Sequence, residues 1–396
     1  MNFYSLFLLV TFIPDFLNID NTLIKNGYWV CKILLAWWVL FKEQRTAFHF
    51  NGEQKFFLFV CFIYALNIYI DVFLAPLPKV LSHTTGSMDF IIFCVGILLT
   101  LTFRYDGTFD SDRSFRFFWI SLSIALILAF HFARLTPRLL LFDESSLRYD
   151  ANSTVNTINY GQAGCALCLI SIYGFIFQKK RFLKFLCFAT MLLGFLSIAK
   201  AGSRSPVVVF ACVVIFYFIA RLGKFKGILV FSMAALLVFL FLNQILELLK
   251  LMGSNIGDRL VNIVAEQDTS GRDAIWSNVV DIIKNSPVFG AYYLVPSGIG
   301  VGMYPHNFYL EAFMTTGVIG GIPFMILVFI TVAKSYKLLK IEHQTSWIVL
   351  LYLQILVFGF FSTSLYSSQD CWILMFFILT IKTPSNFING KQMING

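Results

Sequence analysis

Apolar residues run through this chain in long blocks rather than alternating singly with polar ones. Twelve blocks approach the ~20 residues that cross a bilayer as a helix: 3–19, 28–41, 56–75, 88–103, 117–135, 159–177, 182–198, 206–220, 227–249, 307–333, 345–361 and 366–381. The second and the last are short. Most connections between blocks are brief. Two are not: residues 136–158, rich in Ser, Thr and Asn, and the segment from Lys250 to Pro305. Within the second, "GRDAIWSNVVDIIKNSPVFG" places Ile275, Val279, Ile282 and Ile283 at helical spacing, which predicts an amphipathic helix. Pro287 stops it, since proline cannot continue a helix. The pattern predicts an all-α, polytopic integral membrane protein of about twelve transmembrane helices. Residues 1–249 form spans one to nine with short loops, 250–306 a large loop with short helices of its own, and 307–396 spans ten to twelve with a tail.

Composition agrees. The 396 residues are 58% hydrophobic, 17% aromatic and 13% charged, against about 25% charged in soluble domains. The mean hydropathy is +0.77. The N-terminus lacks a basic region and a small-residue cleavage site, so "FYSLFLLVTFI" is expected to be a retained helix rather than a signal peptide.

A net charge of +9 invites a nucleic-acid reading, but its distribution excludes one. Eighteen of the 30 Lys and Arg fall on alternate connections (42–55, 104–116, 178–184, 221–226, 334–343) and on the tail at Lys382 and Lys391. Basic residues in short loops mark the cytoplasmic side. Both termini are then expected in the cytoplasm, and 136–158 and 250–305 outside it. The eight cysteines lie nearly all in apolar blocks, so no disulfide framework is expected. Cys165 and Cys168, in "GCALCLISIYGF", lack the polar neighbours that redox or metal chemistry needs, and read as packing residues.

Three features gather on the expected outer face. In "KAGSRSP", Arg204 stands at the start of a helix that Pro206 can open in its first turn. It is either an interfacial anchor, snorkelling to water, or part of an anion site in which guanidinium and helix N–H groups meet a phosphate. Arg272 in "TSGRDAIW" stands at another helix start, where Asp273 could pair with it in a simple loop salt bridge; Arg259 in "GDRL" is a weaker case of the same kind. The third feature is His306-Asn307 with Glu311. His306 either caps the span or supplies an imidazole able to take a proton near neutral pH. Glu311 is either its orienting partner or a structural contact. Gly317 and Gly320-Gly321 suit close helix packing.

No zinc-protease, serine-hydrolase, phosphate-loop or Cys/His zinc pattern occurs. "GIGVG" at 298–302 follows no strand and is expected to give its loop freedom to move. Acidic residues in the spans are few (Asp15, Asp71, Glu247, Glu311), which weighs against an ion-coupled transporter or flippase.

"AGSRSP", "SGRDAIWSNVVDIIKNSPVFG" and "YPHNFYLEAFMTTGVIGG", in that order, resemble the bacterial O-antigen ligase and polymerase superfamily of GT-C-like membrane glycosyltransferases. The last segment fits the pattern H-N-x9-G-x-x-G at His306, Asn307, Gly317 and Gly320. The resemblance covers about residues 159–330. It implies a donor glycan on undecaprenyl pyrophosphate, inverting transfer at the periplasmic face of the inner membrane, and no obligatory metal or other cofactor. It further implies that Arg204 and Arg272 hold the pyrophosphate and His306 activates the acceptor, with Asn307, Glu311 and Arg259 in supporting places. The bilayer and a chain-length regulator are the partners it suggests, and nucleic acid is not among them. Both polymerases and ligases carry these motifs. "NTINYGQAG" and "FSTSLYSSQDCW" look more like a polymerase, which is the first reading here, with ligase the alternative. Arg138, Arg148, Arg259 and Arg272 lack the glycine that an R-x10-G two-loop scheme would place after them.

Overall fold

A computed structural model describes residues 50–74, 83–103, 109–132, 134–136, 148–150, 156–240 and 272–382, with Leu34, Gln244 and Glu247 besides. The expected spans at 3–19 and 28–41, and Arg259, lie outside the described residues. The other ten apolar blocks all carry helix. In chain order these are α1 (Gly52–Tyr69, continued by a π turn, Ile70–Leu74), α2 (His83–Thr102), α3 (Ser111–Phe132), α4 (Thr157–Phe177), α5 (Arg181–Ala201), α6 (Ser205–Leu222) and α7 (Lys224–Leu240). After the outer helix α8 (Arg272–Asn285) come α9 (Phe308–Lys340), α10 (Ser346–Phe358) and α11 (Gln369–Thr380).

Of the roughly twelve expected spans, the described residues show six. Six helices among the described residues are long and apolar enough to cross a membrane: Gly52–Leu74, Ser111–Phe132, Thr157–Phe177, Arg181–Ala201, Ser205–Leu222 and Phe308–Lys340. The 13 residues of α10 and the 12 of α11 rise only about 20 Å, short of the ~30 Å hydrocarbon layer. Their apolar blocks run on through Gly359–Ser368, which is turn rather than helix. Both helices are buried along nearly their whole length. The all-α expectation also needs a small amendment. Arg134–Thr136 (β1) pairs antiparallel with Arg148–Asp150 (β2), Leu135 opposite Tyr149. Three residues per strand are too few to show an alternating pattern.

Local chemistry explains several helix ends. α1 opens with a capping box, the Asn51 side chain accepting from Gln54 N at 2.8 Å and the Gln54 side chain from Asn51 N at 2.9 Å. α5 ends at Gly202, in the left-handed region at φ 63°. α4 and α5 pack closely against each other. A Cβ on Gly164 would stand 2.8 Å from Gly194 O, and one on Gly194 2.6 Å from Cys168 Sγ. Small residues draw membrane helices together in this way because tight packing, not water exclusion, drives their association. Cys165 and Cys168 are buried free thiols.

Trp372 on α11 is the hub of the core. Its ring meets Phe57 (5.8 Å) and Tyr64 (6.4 Å) of α1, Phe93 (5.8 Å) of α2 and Phe324 (6.0 Å) of α9. Large apolar side chains such as Phe182, Phe225 and Phe329 are exposed, as lipid-facing residues are. At one end of the bundle Trp347 Nε1 donates to Ser111 Oγ (3.0 Å), Arg221 pairs with Glu342, and Lys334 Nζ reaches Glu53 (3.0 Å) and Leu379 O (3.0 Å). That end carries the basic connections. The other end carries the connection from α5 to α6, helix α8 and the residue 286–307 loop, and the turn from α10 to α11.

Candidate active site

α9 is two helices in one. Gly317, at φ 57° and ψ −155°, breaks its regular backbone, a conformation essentially reserved for glycine. The turn following α8 fills the break. Val318 N donates to Pro287 O (2.8 Å), Ile319 N to Val288 O (3.4 Å), and Ala291 N to Met314 O (2.7 Å). A Cβ on Gly317 would stand 2.3 Å from Val288 O, and one on Gly290 2.4 Å from Thr315 O. Below this stitch the apolar face of α8 packs as its spacing predicts: Val279, Val295 and Met314 are buried, with Ile275, Ile282, Ile283 and Leu310 against them. The 298–302 turn is tied to α8, Asn278 Nδ2 donating to Ser297 O (2.7 Å) and Ile299 O (2.9 Å). Freedom to move is therefore not what its glycines supply; Gly298, Gly300 and Gly302 all take left-handed φ in a pinned turn.

The stitch brings the predicted residues to one end of the bundle. Arg204 is the N-cap residue of α6, with Pro206 in the first turn. The hydroxyls of Ser203 and Ser205 flank it, 3.5 Å from each other. The loop rests on α4: a Cβ on Gly161 would stand 2.6 Å from the Pro206 ring and 3.5 Å from Ser203 Cβ. Arg272, the first residue of α8, donates from Nη1 to the carbonyl of Phe361 in the α10–α11 turn. Burial lowers its pKa; the Tyr304 phenol opposes that shift and the Arg204 cation adds to it. The two guanidinium groups therefore feel each other across the site.

His306 completes the cluster. It has a left-handed φ of 57°, and few non-glycine residues sit there without a reason. Its ring lies 4.2 Å from that of Tyr304 at 53°, and Trp276 Nε1 donates to the preceding carbonyl, Pro305 O, at 3.0 Å. Among the described residues, Nδ1 is buried without a hydrogen-bond partner. Burial, then the positive charge of Arg272, push the imidazole down to about 4. It is neutral at pH 7 and one ring nitrogen is free to accept a proton.

Asn307 and Glu311 have other duties. Asn307 is the N-cap of α9: its Oδ1 accepts from Tyr309 N (3.0 Å) and Leu310 N (3.1 Å), and Nδ2 donates to Phe360 O (3.4 Å). The capping role weighed for His306 thus falls to its neighbour. Glu311 is fully buried and accepts from Tyr64 OH (2.5 Å), Leu365 N (2.9 Å) and Tyr366 N (3.2 Å). Of the two readings of Glu311, these bonds are those of a structural contact. Tyr304, Trp276 and the Phe361 carbonyl were not singled out from sequence. Only Tyr304 carried a signal, standing two residues before the histidine.

Chemically, two half-buried guanidinium groups of like charge are suited to an anion, which would relieve their repulsion while accepting hydrogen bonds. The neutral imidazole beside them can accept a hydrogen bond from a hydroxyl. Fold and site together define a multi-pass membrane protein with two guanidinium groups and an imidazole at one end of its bundle. Residues 189–325 match the family model described as O-Antigen ligase, and this stretch is an O-antigen ligase family domain. It runs from the middle of α5 into α9 and includes Arg204, Arg272, His306 and both glycines of the stitch. The match covers about a third of the 396 residues, and over that stretch the chain is similar to the O-antigen ligase family. No curated protein and no solved structure matches the chain.

Proposed function

We propose that this protein is a surface-polysaccharide (O-antigen) polymerase. It moves a glycan from undecaprenyl pyrophosphate onto the next lipid-linked repeat unit at the periplasmic face of the bacterial inner membrane. The observation that carries this reading is the convergence of Arg204, Arg272 and His306 at the bundle end opposite the basic connections. Basic connections mark the cytoplasmic side, so the site faces outward.

In the proposed reaction the acceptor hydroxyl attacks the anomeric carbon of the donor sugar from the face opposite the leaving group. The new C–O bond forms as the bond from that carbon to the pyrophosphate oxygen breaks, inverting the centre. The electron pair leaves with undecaprenyl pyrophosphate and the hydroxyl proton passes to His306. Charge builds on the departing diphosphate, where Arg204 and Arg272 lie. Fixed cations at a mostly apolar boundary stabilise developing negative charge more strongly than they would in water.

"NTINYGQAG" and "FSTSLYSSQDCW", the segments that lean toward a polymerase, both abut this centre, through Gly161 on the Arg204 loop and through Phe361 on Arg272. The second reading, a ligase delivering the finished chain to lipid A–core, is favoured by the description of the matched family. It needs the same donor chemistry and differs only in acceptor.

The test is the lipopolysaccharide banding of a deletion strain. Single repeat units on core are expected, and core bare of O-antigen with accumulated lipid-linked polymer would overturn the polymerase in favour of the ligase. Arg204→Ala, Arg272→Ala and His306→Ala should each fail to restore the ladder while inserting in the membrane. Three variants with normal ladders would refute the site. A flippase would tolerate His306→Ala in glycan transfer and strand its substrate on the cytoplasmic leaflet.

A further inference from the structure

The α10–α11 turn, Gly359–Ser368, is irregular backbone enclosed at the end of a membrane bundle. Such backbone is tolerated only where protein satisfies its polar groups. Its bonds fall into two sets. The first three carbonyls face the site: Gly359 O accepts from Phe308 N (2.7 Å), Phe360 O from the Asn307 side chain (3.4 Å), and Phe361 O from Arg272. Four residues on, Leu365 N and Tyr366 N both turn to the Glu311 carboxyl, and Leu365 O accepts from Trp372 Nε1 (2.9 Å). Between the two sets Thr363 holds a left-handed φ of 71°. Glu311 in turn takes the Tyr64 hydroxyl from α1.

A carboxyl buried in an apolar bundle is costly unless its oxygens are fully hydrogen-bonded. Packing alone would be served by an apolar side chain. The carboxyl can do what an apolar group cannot: accept from two successive backbone N–H groups and a phenol together. This fixes the rotation of the turn, and with it the direction of the Phe361 carbonyl on which Arg272 rests.

We propose that Glu311 and Tyr64 are positioning residues for the donor: acting through the 359–368 turn, they aim the Arg272 guanidinium at the diphosphate. The inference rests on the reading of Arg272 as a diphosphate ligand. Glutamine at 311 offers one acceptor oxygen and turns an N–H₂ toward a backbone N–H. Phenylalanine at 64 removes one hydroxyl and nothing else. Both leave the site's own side chains in place.

The experiment measures undecaprenyl pyrophosphate binding to the purified full chain in lipid nanodiscs, for wild type, Tyr64→Phe, Glu311→Gln, Arg272→Ala and the double variant Tyr64→Phe/Arg272→Ala. Thr331→Val serves as control; that hydroxyl lies farther along α9 and bonds to Tyr352 of α10. We expect Tyr64→Phe and Glu311→Gln to weaken binding about tenfold. The Tyr64 effect should vanish in the Arg272→Ala background, because residues acting through one another are not additive. The control should bind as wild type does.

Wild-type-like binding by Tyr64→Phe, or an equal loss with and without Arg272, would overturn the inference while leaving the donor site intact. Wild type that does not bind undecaprenyl pyrophosphate would overturn the donor reading itself. If Glu311→Gln does not fold, Tyr64→Phe and the double variant still decide.

Discussion

Alanine at Gly317 should uncouple the outer helix α8 from the span that follows His306. The added Cβ would lie 2.3 Å from Val288 O, 2.4 Å from Val288 C and 2.6 Å from Gly290 N. All three are backbone, so no side chain can swing aside. A residue forced into glycine-only backbone is strained by ~1–3 kcal/mol. Pushing the 287–291 turn outward also stretches the 2.8 Å bond from Val318 N and the 2.7 Å bond to Met314 O, and a buried group left unpaired costs about 1–3 kcal/mol. Losing one of them brings the total to about 2–6 kcal/mol. The assay pairs thermal melting of the purified protein with O-antigen laddering in the deletion strain. Gly317→Ala should melt several degrees lower and lose most of its transfer, since α8 carries Arg272. Gly52→Ala is the control: its Cβ would meet nothing within 4 Å, and alanine at a compatible helical site stabilises by about 0.4–1 kcal/mol. A Gly317→Ala protein with unchanged melting and a full ladder would refute the stitch as the element that couples α8 to α9.

Three further outcomes follow. The His306 ring titrates at about 4 in the fold and about 6.5 in an unfolded chain. Between those values only the unfolded chain takes the proton, so this contribution to stability is intact above about 6.5 and is lost as pH falls toward about 4. Melting curves across that window should show wild type losing more stability than His306→Gln. Replacing Cys165 and Cys168 together with alanine should leave the ladder unchanged and lower stability on the order of 1 kcal/mol for each sulfur removed; loss of the ladder in stably folded protein would contradict a packing role. In a cysteine-free background, Ser297→Cys should react with a membrane-impermeant thiol reagent from the periplasm, and Glu342→Cys only after the inner membrane is opened. The reverse pattern would invert the proposed orientation.

Helix positions were readable because hydropathy in lipid is a one-dimensional signal, and every apolar block within the described residues carries a helix. Boundaries were readable where turn chemistry is local, as at Pro206 and Pro287. They failed where Ser, Thr and Gly sit amid apolar residues, as in 359–368, since hydropathy averages over the turn. The amphipathic face of α8 was legible from spacing alone. The break at Gly317 was not: it reads as a packing glycine until the turn from 287 to 291, far back in the chain, is seen to enter it. Arg204, Arg272 and His306 stood out as polar groups at apolar boundaries. The service of Glu311 to Tyr64 and the 365–366 amides depends on contacts more than fifty residues away, which no local pattern encodes.

The interruption in α9 also sets a depth. From Val318 to Lys340 the helix rises about 35 Å, enough by itself to cross ~30 Å of acyl chains. Phe308–Thr316 then adds at most about 14 Å beyond it. On the proposed orientation such a pedestal would hold the imidazole among the headgroups, the layer where the diphosphate of a polyprenyl lipid floats while its tail stays dissolved below. A lipid-borne substrate would meet the cluster by drifting sideways in the leaflet, with no need to lift out of the membrane.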